Sequence, residues 1–174
     1  MGVFSAADRV RNACQMLTAP LGSAFQPRIS ALFATDISKA KTSLRHLAIL
    51  QVGGSVFMSL VLLLGADNIV LLMMGPGFDE SIAVLRWLAV VPTLVAMSNV
   101  LGVHTMLNLK MQSSFLVILI LAGSFNVVLL FPLVSILGAQ GAAIAVVLTE
   151  ALVVICMAGV LRQKLLKTGE SHAL

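Results

Sequence analysis

The stretch SSFLVILILAGSFNVVLLFPLVSIL, residues 113–137, runs for 25 positions without a charged side chain. As an α-helix it rises about 37 Å at ~1.5 Å per residue, enough to cross the ~30 Å hydrocarbon layer of a bilayer. Its apolar residues are consecutive, whereas a membrane barrel strand alternates lipid-facing and lumen-facing side chains. Outward from this stretch, apolar runs recur at 56–64, 88–95 and 144–148, each continuing in both directions with few charges. Across all 174 residues, 59% are hydrophobic and 10% charged, against roughly 45–50% and about 25% in soluble domains. A water-soluble core has no room for that surplus. The expected fold is therefore all-α, a polytopic transmembrane bundle of about five helices.

Turn residues divide the chain into helices at about 5–33, 36–74, 79–109, 113–137 and 139–166, inside a membrane region 1–168 with a polar tail at 169–174. Gly75-Pro76-Gly77-Phe78 stops the second helix, and Asp79 is placed to cap the third with Glu80 in its first turn. Lys110-Met111-Gln112 and Gly138-Ala139-Gln140 mark the next two turns. Alternating helix ends then collect Arg28, Lys39, Lys41, Arg45, Lys110, Arg162, Lys164 and Lys167 on one side, and only Arg9, Arg11 and Arg86 on the other. Cytoplasmic loops hold the Lys and Arg excess, so the C-terminus is expected in the cytoplasm and the N-terminus outside. A chain that starts outside on a charged helix, without a signal peptide, reads as the continuation of a longer polypeptide.

The formal charge of +4 does not point to nucleic acid, because the cations are dispersed at the ends of apolar segments rather than gathered on one face. Cys14 and Cys156 fall near opposite membrane faces, which argues against a disulfide. His46, His104 and His172 are scattered with no metal-ligand spacing, and no phosphate-binding or nucleotide-binding loop is present. An enzyme active site has little to be built from, and neither a metal nor another cofactor is expected.

The first helix is the unusual one. At 100° per residue Asp8, Asn12, Gln15, Ala19, Gly22, Ser23, Gln26 and Ser30 share one stripe, with Val10, Leu17, Leu21, Ala24 and Leu32 opposite. Unpartnered polar groups in hydrocarbon cost several kcal/mol each, so the stripe must face other helices or water. Lining of a hydrophilic pathway is one reading; hydrogen bonding to neighbouring helices is the other. Arg9 and Arg11 flank the stripe, while Pro20 and Pro27 interrupt the helix and suit either a gate or a static kink. Arg86 must snorkel, pair with Glu80 or Asp67, or face the cavity, and Glu150 and Asp67 are candidates for ion coupling or for pairing an arginine. The small residues that open the fifth helix suit close packing.

VFSAADRV at 3–10, QPRIS at 26–30, GPGFDESIAVLRWLA at 75–89 and LGAQGAAIAVVLTEA at 137–151, taken in this order, resemble the C-terminal part of a polysaccharide or O-antigen flippase of the multidrug/oligosaccharidyl-lipid/polysaccharide exporter superfamily. That resemblance implies part of the second of two helical bundles, residing in a bacterial cytoplasmic membrane. The implied activity is turning an undecaprenyl-pyrophosphate-linked oligosaccharide from the inner to the outer leaflet. It also implies a cationic cavity to which Arg9, Arg11 and Arg86 could contribute, with guanidinium suited to phosphate through paired hydrogen bonds. Members of the superfamily have twelve or more helices, so a missing N-terminal bundle is an expected partner besides membrane lipids. Two alternatives stand beside this one: a cation-coupled drug or solute exporter using Asp8, Asp67 or Glu150, and a structural membrane subunit with no transport cycle.

Overall fold

The computed structural model describes the backbone of residues 2–75 and 77–171, and their side chains except at 2–3, 6–7, 10, 13–15, 17–24, 34, 73–74, 79 and 167–171. The fold is all-α. Helix α1, Gly2–Thr35, continues through both Pro20 and Pro27. A single residue separates it from α2, Ile37–Met74, because Asp36 takes an extended conformation and its carboxylate accepts the backbone N–H of Ser38 and Lys39 at 3.0 and 3.1 Å. Gly75 ends α2 at φ 80°, a conformation that favours glycine, and donates its N–H to Leu71 O.

Where the sequence suggests one helix over 79–109, three segments follow one another: α3 (Asp79–Leu88), α4 (Val91–Leu101) and a π-turn (Gly102–Met106). Pro92 accounts for the first break, since its ring crowds the carbonyl four residues back, that of Leu88. At the start of α3 the cap position falls on Phe78 rather than Asp79, with no side-chain cap bond. The π-turn widens the helix by one residue per turn, as in the bond from Leu107 N–H to Gly102 O at 3.1 Å. Lys110, at φ 58°, then turns the chain.

Helix α5, Gln112–Ser171, is broken at Gly138, where φ 57° and ψ −130° lie outside helical space. Its two limbs fold back on each other. Asn126 reaches Thr149 and the carbonyl of Ala145, Ile118 and Ala122 pack with Val153 and Met157, and Ser113 and Gln163 border one surface hollow. Near the tip the limbs approach so closely that a Cβ on Gly141 would overlap the Leu133 carbonyl.

Two apolar clusters hold the bundle. One joins Leu62, Ala66 and Val70 of α2 to Val84, Leu85 and Leu88 of α3 and Ala143 of α5. The other joins Met106 to Ile118 and Ala122 in the first limb of α5 and to Val153, Met157 and Leu161 in the second. The outside is equally apolar: Leu64, Leu72, Phe131 and Ile136 are each at least 74% exposed. Side chains of that kind, side by side on α2 and α5, require acyl chains around them. Among the described residues three helical stretches are long and apolar enough to cross a membrane: Ile37–Leu72, Glu80–Met106 and Gln112–Leu166, the last being the hairpin. Helix α1 is not among them, as its Asp, Arg, Asn and Gln side chains dictate.

Candidate functional site

Polar side chains enter the bundle interior from α1, α2, the π-turn and α5. On α1, Asp8, Arg11 and Asn12 sit one turn apart and close a knot. Arg11 lies 2.8 Å from Asp8 Oδ1 and donates to Asn12 Oδ1 at 2.7 Å, while Asn12 Nδ2 donates to Asp8 Oδ2 at 3.0 Å. Arg11 is only 14% exposed, and the half-buried Glu150 of α5 lies within its electrostatic reach. The guanidinium is therefore countered from two helices, yet its Nε has no hydrogen-bond partner among the described residues. Arg9, two residues away, points to the exposed surface and forms no ion pair among the described residues.

Further along α1, the half-buried Gln26 hydrogen-bonds through Oε1 with Nδ1 of the buried His104 in the π-turn. The extra residue of the π-turn rotates the helix surface locally, a device that is frequent where a side chain must be re-aimed. Opposite, α2 contributes Gln51, Ser55 and Ser59 at four-residue spacing on one face. Ser59 pairs with Thr93 at 2.8 Å. Gln51 and Ser55 are 4% and 0% exposed, and Gln51 Oε1 and Ser55 Oγ have no hydrogen-bond partner among the described residues. Asn126 and Thr149, 2.9 Å apart, tie the limbs of α5 together.

Of the arginines singled out in the sequence, Arg9 is exposed, Arg11 is held in the α1 knot and Arg86 has a partner on another helix. Arg86 pairs with Asp67 at 3.0 Å, linking α3 to the far end of α2 with both side chains more than half exposed. Of the three choices open to Arg86, the structure takes pairing with Asp67. Asp8, Arg11 and Asn12 form one group with Glu150 nearby, Gln26 belongs to a second with His104, and Asp67 and Arg86 form a third. The side chains of Gln15, Ser23 and Cys14 lie outside the described residues. Among the described residues no three His, Cys, Asp or Glu side chains gather in a way that could hold a metal ion.

His104 and the Gln51–Ser55 pair are the functional candidates that the sequence reading passed over. The His104 contact spans 78 positions, and no local pattern announces it. The four-residue repeat of Gln51, Ser55 and Ser59 in an otherwise apolar helix was a signal that could have been read.

These features define a class, a polytopic helical membrane protein with a hydrogen-bonding interior and a lipid-facing exterior. Within it, the chain is homologous to two proteins named "Putative O-antigen transporter". It is 39% identical to the one from Escherichia coli (strain K12) and 29% identical to the one from Shigella dysenteriae, over 154 residues in each case, 88% of this chain. The chain spans 37% and 38% of the length of these curated relatives. No protein-family model and no solved structure matches it.

Proposed function

We propose that the chain is part of a transporter that carries lipid-linked oligosaccharide units of surface polysaccharide across a bacterial cytoplasmic membrane, the carrier being undecaprenyl pyrophosphate. The observation that carries this reading is the set of buried polar atoms without hydrogen-bond partners among the described residues: Arg11 Nε, Gln51 Oε1, Ser55 Oγ and, at the start of α3, Ser81 Oγ. Each such atom costs about 1–3 kcal/mol unless water or a ligand completes it, so a bundle that keeps them inside needs something polar to pass or to bind. The homology to O-antigen transporters supports the same class of cargo.

In this reading Asn12, Gln15, Ser23 and Gln26 of α1, together with Gln51 and Ser55 of α2, offer hydrogen bonds to sugar hydroxyls. Arg9, unpaired at the rim, meets the diphosphate first. Arg11 exchanges part of its Asp8 contact for phosphate, and Arg86 keeps α3 in register through Asp67. Alternating access rocks one bundle against another, so the chain works with a second helical bundle, its N-terminal side outside and its C-terminus in the cytoplasm. The test is surface polysaccharide in cells whose only complete transporter carries Arg9→Gln or Arg11→Gln. Loss of a charge-assisted contact of about 1.5–3 kcal/mol predicts at least a tenfold fall at unchanged protein level. Undiminished surface polysaccharide in both variants would contradict the reading.

A second reading has one observation in its favour, the half-buried Glu150 facing Arg11. In a cation-coupled exporter this carboxylate exchanges Arg11 for the coupling ion. Glu150→Gln then uncouples transport from the sodium or proton gradient, whereas in the first reading it alters only the Arg11 environment.

A further inference from the structure

At the end of the bundle away from Asp67 and Arg86, the C-terminus of α1, the start of α2, α4 with its π-turn and the last turns of α5 border an open cavity of ≈ 670 Å³. Its walls are apolar, with Phe33, Leu101 and Leu165 among them, except for Thr105 and three cations, Lys41, Arg45 and Arg162. Thr105 already donates its hydroxyl to Val100 O. None of the three cations has a carboxylate within ion-pair distance among the described residues, and no acidic side chain lines the cavity. Lys39, two residues before Lys41, is by contrast paired with Asp36.

The level of these charges in the membrane follows from α2. Twenty residues, Leu47 to Ala66, span ~30 Å of hydrocarbon and leave Arg45 just beyond one end and Asp67 just beyond the other. Lys41, Arg45 and Arg162 thus lie at headgroup depth, while the cavity they rim opens onto apolar wall. Three exposed like charges rim one cavity, and an anion among them relieves their repulsion. An occupant must be anionic at one end and greasy at the other, and its volume must fit a pocket of the size that holds a drug-sized ligand.

We propose that this cavity is a binding site for an anionic glycerophospholipid, its phosphate held by Lys41, Arg45 and Arg162 and the first part of one acyl chain lying against Phe33, Leu101 and Leu165. Basic pockets between transmembrane helices recognise anionic headgroups in this way. The site shares no residue with the polar interior assigned to transport, so its failure leaves that reading untouched.

The experiment is binding of phosphatidylglycerol and of zwitterionic phosphatidylcholine to the purified chain in detergent, read by native mass spectrometry and by the thermal midpoint. The chain should retain and be stabilised by phosphatidylglycerol, and Lys41→Gln, Arg45→Gln and Arg162→Gln should each cut the preference about fivefold, the equivalent of the ~1 kcal/mol that a cation gains at an anionic lipid surface. Lys39→Gln, outside the cavity, should leave it unchanged. Ala48→Phe, which fills the apolar wall without touching charge, should weaken binding of phosphatidylglycerol. Equal binding of the two lipids, or a preference that survives all three charge removals, overturns the proposal. So does stronger protection by a polyprenyl phosphate or by inorganic phosphate alone, either of which would make this a site for the carrier lipid or for a free anion.

Discussion

Gly141→Ala provides a sharp test of the α5 hairpin, because two opposing effects have different sizes. In an unconstrained helix, replacing glycine by alanine stabilises by up to about 1 kcal/mol. At Gly141 the new Cβ would overlap the backbone carbonyl of Leu133 and come within 3.0 Å of Val134 N. No side-chain rotation relieves a contact with backbone, so the limbs must separate by on the order of 1 Å to regain van der Waals spacing. Overpacking of this kind costs about 1–3 kcal/mol. The shift also stretches the Asn126–Thr149 bond that joins the limbs. The net expectation is a loss of about 1 kcal/mol, or roughly a fivefold change in the folding equilibrium and a fall of about 2–4 °C in thermal midpoint. Gly159→Ala is the control, since a Cβ there meets nothing within 4 Å. Both variants are compared with the parent by thermal unfolding in the same detergent. Equal stability of Gly141→Ala and Gly159→Ala would refute the close crossing and with it the hairpin geometry.

Gln26→Leu leaves the buried His104 without its side-chain partner and should cost about 1–3 kcal/mol; a double-mutant cycle with His104→Leu that returns no coupling removes the contact from the account. Arg86→Gln or Asp67→Asn should change stability by less than about 1 kcal/mol, since both side chains are more than half exposed, and a larger loss would mean that the pair is shielded from water. Hydrogen bonds from the Lys39 backbone and side chain hold the Asp36 carboxyl below its ordinary range. Its contribution is therefore complete above the unfolded carboxylate pKa and is lost as pH falls through the lower, folded value. In NMR the Ser38 and Lys39 amides should shift over that acid interval, and in Asp36→Asn, which keeps a capping side chain, they should not. Persistence of the shift in the variant would exclude Asp36 as its source.

The helical, membrane-embedded character of the chain is legible because it rests on composition and on contiguous apolar length, which need no partner to be read. The uncharged stretch 113–137 and the glycine at 138 carry their meaning locally. Segmentation over 79–109 is harder. Pro92 was visible, but the π-turn at Gly102–Met106 depends on packing against α1 and α5 and has no periodic signature. Site prediction divides along the same line. The stripe on α1 is a local pattern, and Asp8, Arg11 and Asn12 meet because four residues make one turn. The partners of Arg11 and Arg86 differ in kind: Asp8 lies one turn away on the same helix, whereas Asp67 lies on another. Gln26 finds His104 and Arg86 finds Asp67 across helices whose relative rotation no spacing in the sequence encodes.

The central claim is that the polar face of α1 borders an aqueous interior while the outer surfaces of α2 and α5 meet lipid. Cysteines placed singly at Asn12 and Gln26, and at the lipid-facing Leu64 and Phe131, can be reacted in intact membranes with a maleimide too polar to enter hydrocarbon. Because a thiol ionises and reacts only where water reaches it, labelling at 12 and 26 with none at 64 and 131 is the predicted result. Unreactive thiols at 12 and 26 throughout the transport cycle, or reactive ones at 64 and 131, would contradict it.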